Sequence, residues 1–146
     1  MPRPTLALLP AVPLLLVACA CACDGAAKHE AATLAAAVDH FRRADPSSKT
    51  AQAQAVDAVV CSDARVCAAK DACVAAVDPT ARALALKDEV ASRLQDIEKG
   101  TLAADAPEAR ALPDKLDEAE RLLKEGRVQM EVCDARLADL RVALGV

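Results

Sequence analysis

Apolar residues recur at alternating intervals of three and four along the last quarter of the chain. This spacing places them on one face of an α-helix as a heptad repeat. The pattern predicts a long helix over residues 113–144 that packs against another helix, and Gly126 in the row indicates a close crossing. The row consists of Leu116, Ala119, Leu123, Gly126, Met130, Cys133, Leu137, Leu140 and Leu144.

Two earlier segments have the same rhythm. The short connection at 100–112 makes the segment at 79–99 an antiparallel hairpin partner of the helix at 113–144. Further helices are predicted over 47–60 and from 62–63 to 77. The stripe within 79–99 consists of Ala83, Leu86, Val90, Leu94 and Ile97, and the stripe within 26–44 consists of Ala27, Ala31, Leu34, Val38 and Phe41.

Prolines and small polar residues mark the expected helix ends. Asp45-Pro46 and Asp78-Pro79 each join an N-cap residue to a proline, which suits the first turn of a helix, so we expect new helices to begin there. Ser47 and Ser62 fit further N-caps, and Gly100 predicts a helix end.

Composition favours the same class of fold. Ala, Leu, Glu, Lys and Arg, which favour helix, together make up more than half of the residues, and Phe41 is the one aromatic residue. The sequence therefore predicts an all-α protein, a small helical bundle with a long C-terminal helix in an antiparallel hairpin. The net charge is -4 with both signs mixed, and no basic stripe is present. This pattern predicts no binding to nucleic acid.

The first 18 residues have the pattern of an export signal. Arg3 precedes an apolar run that ends at Ala18, and this run is too short to span a bilayer as a helix. The run ends in Leu16-Val17-Ala18 and is followed by Cys19. This four-residue sequence resembles the lipobox of bacterial lipoproteins. That resemblance implies cleavage before Cys19 and acylation of its thiol. The alternatives are ordinary cleavage after Ala18, Ala20 or Ala22, and an uncleaved anchor.

This interpretation divides the chain into a signal peptide at 1–18, a lipidated tether at 19–25 and a single helical domain at 26–146. It predicts export and attachment to a membrane through the lipid. In the sorting rule of lipoproteins, Asp after the lipidated cysteine favours retention at the inner membrane. Because Ala20 occupies that position, the outer membrane is the favoured destination.

Four cysteines remain in the helical domain, and an even number in an exported domain predicts two disulfides. When the hairpin is folded about its loop, Cys133 lies level with residue 80. A helix that folds back at Asp78-Pro79 would bring Cys73 to the same level. The geometry therefore favours Cys73–Cys133, which leaves Cys61 to pair with Cys67, so the bundle is disulfide-linked. Cys61, Cys67 and Cys73 are six residues apart, a spacing that fits no zinc motif, and we predict no metal site.

Candidate catalytic groups are few. His29 and His40 share a helix face but lie about 16 Å apart along it, so they cannot bind one metal ion. No nucleophile elbow surrounds a serine, and glycine is too rare for a phosphate-binding loop. We therefore expect neither an enzyme nor a cofactor.

The leading hypothesis is a non-enzymatic exported lipoprotein with a structural or protein-interaction role at the bacterial envelope. The Ala-rich faces of residues 26–44 and 47–60 favour an envelope protein partner or self-association. The alternative hypothesis is a periplasmic helical bundle that binds a small ligand or a metal, because bundles can hold ligands in their cores.

Overall fold

The computed structural model describes residues 20–146, with side chains from residue 25 onward. Within that range every regular element is helical, which confirms the all-α prediction. The helices are α1 at Ala20–Arg43, α2 at Lys49–Asp57, α3 at Ala64–Glu98, α4 at Pro107–Arg110 and α5 at Leu112–Leu144, with a 3-10 turn at Pro46–Ser48 before α2.

Helices α1, α2, α3 and α5 pack as a four-helix bundle in which each helix runs antiparallel to the next. The α3–α5 hairpin forms the largest interface, and α1 lies beside both α2 and α5. The stripe predicted on the first helix is buried in full. The largest fully buried side chains of the bundle core are Leu34, Val38, Val56, Val66 and Val77.

Residues 64–98 form one helix of 35 residues, so the predicted break at Asp78-Pro79 is wrong. Proline removes one backbone hydrogen bond from a helix and costs about 3 kcal/mol. Here Pro79 is buried within α3, and α3 packs on α5 along both sides of it. Continuous packing outweighs the local cost, and the Thr80 hydroxyl donates a 2.9 Å hydrogen bond to the Ala76 carbonyl oxygen.

The close helix crossing predicted at Gly126 lies opposite this proline. A Cβ atom built on Gly126 would overlap Thr80 Oγ1 and would lie 3.1 Å from the Ala76 carbonyl oxygen. Only glycine therefore allows α5 to approach α3 this closely. The predicted helix end at Gly100 is also confirmed, because Gly100 adopts a φ of 72° directly after α3.

Two helix ends differ from expectation. Helix α1 already includes Ala20, so the segment predicted as a tether at 20–25 is helical. Alanine is the strongest helix former, and the Ala-rich sequence outweighs Gly25 there. Helix α2 ends at Asp57 rather than at residue 60. Lys49 at its start reaches back to donate hydrogen bonds to the carbonyl oxygens of Phe41 and Arg42 at the end of α1.

The α3–α5 hairpin continues past the other two helices. The bundle core reaches Ala81 on α3 and Met130 on α5. A second, smaller apolar cluster follows, and its members come from α3 and α5 alone. We call residues 83–123, which include the loop and α4, the arm. The second cluster consists of Ala83, Ala119 and Leu122, with Leu86 and Leu123 packed against it.

Candidate functional site

The predicted signal peptide and the predicted lipid acceptor Cys19 lie outside the described residues. Helix α1 includes the next residue, Ala20. Glu30 of α1 contacts Ser62 beside the start of α3, and Ala31 lines a surface groove together with Val146. The bundle end where α1 begins, here called the proximal end, is therefore opposite to the arm. No helix in residues 20–146 is long and apolar enough to cross a membrane.

A single carboxylate joins α1 to the loop before α3. Glu30 accepts hydrogen bonds from the Ser62 amide at 2.9 Å, the Ser62 hydroxyl at 2.6 Å and the Asp63 amide at 3.3 Å. The hydrogen bonds from Ser62 favour the ionised form and lower the pKa of Glu30. Ser62 therefore holds Glu30 and does not act as the predicted N-cap.

The N-cap of α3 is Asp63, whose carboxylate accepts a 2.8 Å hydrogen bond from the Arg65 amide. The Arg65 guanidinium also donates to this carboxylate. Hydrogen bonding to Arg65 lowers the pKa of Asp63 to about 2. Together with Glu30, this cap fixes the proximal end of α3.

The structure pairs the four cysteines as the sequence geometry favours. The long disulfide, Cys73–Cys133, joins α3 to α5 with 4.6 Å between Cα atoms, and both residues are fully buried. The short disulfide, Cys61–Cys67, joins the loop to the first turn of α3 with 5.3 Å between Cα atoms. Two disulfides are typical of proteins from an oxidising compartment outside the cytoplasm.

The route to the long disulfide differs from the predicted one. The expected fold-back at Asp78-Pro79 is absent, and the first half of α3 runs directly beside the second half of α5. Cys73 of α3 therefore lies directly opposite Cys133 of α5. Sequence spacing alone predicts residue 80, seven positions later, opposite Cys133. The pairing follows because Cys73 and Cys133 both lie on the faces that the two helices bury against each other.

The predicted absence of a metal site remains a prediction. His29 and His40 are both exposed on α1. Among residues 25–146, no three His, Cys, Asp or Glu side chains come together in a group that could hold a metal ion. Among residues 25–146, one open groove of about 340 Å³ lies between the proximal ends of α3 and α5 and is lined in part by Ala68, Leu140 and Ala143.

Ion pairs account for the remaining shifted acids. Lys115 lowers the pKa of Glu89 across the hairpin, and Arg121 lowers the pKa of Glu118 on α5. These side chains are substantially exposed, so they are surface pairs of small energetic effect. Such groups position helices and offer no reacting centre, and the absence of catalysis stays a prediction.

The arm is the feature that the sequence interpretation missed. Its cluster is thin, and Leu94 and Leu116 are 48% and 38% exposed although both lie on predicted packing stripes. The missed signal was the distribution of charge by segment, since acids concentrate between residues 83 and 123. An exposed, partly apolar element on a rigid hairpin is a candidate interaction site.

The chain matches no protein-family model, no curated protein and no solved structure.

Proposed function

We propose that this protein is an exported, non-enzymatic lipoprotein that attaches to the bacterial envelope through acyl chains on Cys19 and acts by binding another protein. The observation that carries the proposal is that the start of α1 and the arm lie at opposite ends of the molecule. Helix α1 includes the residue after Cys19 and enters the bundle at the proximal end, whereas the arm lies at the other end. A lipid at Cys19 would thus direct the arm away from the membrane.

Dimensions support this arrangement. Helix α3 alone spans about 52 Å from the proximal end to the arm loop. The Cys73–Cys133 disulfide and the α3–α5 interface hold the two long helices together along this length. Several acyl chains anchor firmly, because each buried methylene contributes about 0.8 kcal/mol. Ala20 after the anchor favours the outer membrane as the destination.

Cell fractionation tests the anchor. The full chain should pellet with membranes, and Cys19→Ser should lose the acyl chains and the cleavage that depends on them. Cys21→Ser is the matched control and should remain acylated and membrane-bound. Equal acylation of the Cys19→Ser variant and the wild type would contradict the assignment of Cys19.

Site-specific photocrosslinking in the native host tests the interaction. A crosslinking residue at Leu94 on the arm should give a discrete adduct with an envelope protein. Val142, which is 88% exposed near the proximal end, is the control position for the same crosslinking residue. A protein that stays monomeric and forms no adduct from either position would refute an interaction role.

A further inference from the structure

The excess negative charge of the domain lies on the arm. Residues 83–123 contain ten acidic and six basic residues, whereas 25–82 contain seven of each and 124–146 contain four of each. Three of the ten acids, Glu89, Asp96 and Glu118, form ion pairs. The other seven have no cationic partner among the described residues, so the arm presents a net negative surface.

An apolar stripe accompanies this charge on α5. Met130 and Asp134 lie on the α5 face that Arg42 of α1 contacts. Helical spacing of three and four continues that same face through Arg127, Leu123, Glu120 and Leu116. Helix α1 ends at Arg43, and the apolar cluster at this level comes from α3 and α5 alone, so no helix within residues 20–146 covers this stretch of the face.

Helix α3 provides the other side of the same groove. Val77 is fully buried against the bundle helices. Leu84 and Asp88 follow it at intervals of 7 and 11 residues and therefore share its face. Leu84 is half-buried and Asp88 is exposed. The groove that α1 and α2 fill in the bundle thus continues along the arm, edged by Asp88 on α3 and Glu120 on α5.

We infer that this groove of the arm binds a basic amphipathic helix of a partner protein, which lies along α3 and α5 as α1 does in the bundle. The inference rests on the proposed interaction function and names the surface and the partner's chemistry. Leucine-type side chains of the partner would contact Leu84, Leu116 and Leu123, and its Lys or Arg side chains would approach Asp88 and Glu120. A second copy fits worse, because its arm carries the same net charge of four negative units.

Designed peptides provide the first test. The probe is a labelled helical peptide with leucines at i, i+3, i+4 and i+7 and lysine or arginine elsewhere. One control replaces the basic residues with glutamate, and a second scrambles the basic peptide so that its leucines no longer share a face. Fluorescence anisotropy with the detergent-extracted full chain should show binding of the amphipathic basic peptide alone, and binding should weaken as salt increases.

Variants then assign the binding to the groove. The double variant Asp88→Asn with Glu120→Gln should weaken binding about fivefold, the effect of losing two exposed charge pairs. The matched pair Asp71→Asn with Glu131→Gln removes two exposed acids from the bundle and should leave binding unchanged. Circular dichroism of each variant checks that the fold is intact.

Leu116→Ser tests the apolar part of the groove, with Val142→Ser as the control. Only the arm variant should weaken binding. Equal binding of the acidic or scrambled peptide, or equal losses from the arm and bundle variants, would overturn the inference. A dimer in sedimentation equilibrium that is broken by Leu116→Ser would also overturn it in favour of a second copy.

The two proposals can fail separately. If Leu94 crosslinks to an envelope protein in cells but the basic peptide does not bind, the inference about partner chemistry is wrong and the interaction function stands. If neither the peptide nor any cellular protein engages the arm, the proposed function is wrong as well.

Discussion

Replacement of Gly126 by alanine tests the packing that sets the α3–α5 hairpin. In an ordinary helix this change stabilises by about 1 kcal/mol, because alanine is the better helix former. At this crossing the new Cβ atom would meet Thr80 Oγ1, the Ala76 carbonyl oxygen at 3.1 Å and the Thr80 amide nitrogen at 3.3 Å. The first contact is with a side chain that can rotate, whereas the other two are with backbone atoms.

The opposing contributions can be compared. Rotation of the Thr80 hydroxyl would break its hydrogen bond to Ala76, which costs about 1 kcal/mol. Separation of the helices to relieve the backbone contacts costs about 1–3 kcal/mol, as for other overpacked cores. After the gain in helix propensity is subtracted, we expect Gly126→Ala to lower the free energy of unfolding by about 1–3 kcal/mol.

Urea unfolding of the oxidised protein, followed by circular dichroism at 222 nm, measures this change. Gly25→Ala is the matched control, because Gly25 is helical and its Cβ position has no atom within 4 Å. The control should be neutral or stabilising by up to about 1 kcal/mol. If Gly126→Ala stabilises the protein as much as Gly25→Ala does, the close crossing and the reasoning from it are refuted.

Other predictions concern the disulfides, the acid response and the arm. Replacement of the long disulfide by two alanines should lower the free energy of unfolding by about 4 kcal/mol, and replacement of the short one should lower it by about 2 kcal/mol, because loop-closure entropy grows with loop length. Urea unfolding should rank the two variants in that order. The lowered pKa values of Glu30 and Asp63 mean that their stabilisation is complete above about pH 5 and is lost as the pH falls through the folded-state values, near 2 for Asp63. Glu30→Gln should therefore flatten the fall of Tm between pH 5 and 2, and an unchanged slope would contradict the role of Glu30. Leu122→Ala should cost about 2–5 kcal/mol because Leu122 is buried, whereas the more exposed Leu116→Ala should cost less than about 1 kcal/mol.

Periodicity predicted the elements whose packing is regular. The stripe from Ala27 to Phe41 is buried, and α5 lies within one residue of its predicted start. The reason is that a heptad row records the face of a helix directly. The α3–α5 pairing and the Gly126 crossing follow from the same row.

Local signals failed where tertiary packing decides. Asp78-Pro79 has the chemistry of a helix start, yet α3 continues through it because α5 supports both sides. Ser62 has the chemistry of an N-cap, but its hydroxyl donates a hydrogen bond to Glu30, which is 32 residues away in the chain. Sequence spacing alone cannot rank these competing partners. The exposure of Leu94 and Leu116 was also hidden, because a heptad row does not reveal how many helices cover it.

Intact mass analysis of the protein extracted from membranes, after alkylation of free thiols with and without reduction, tests both the lipid anchor and the disulfides. We expect a chain that begins at Cys19 and carries acyl chains, in which Cys61, Cys67, Cys73 and Cys133 resist alkylation until they are reduced. An unacylated chain that begins after Ala20 or Ala22, or alkylation of those four cysteines before reduction, would contradict this expectation.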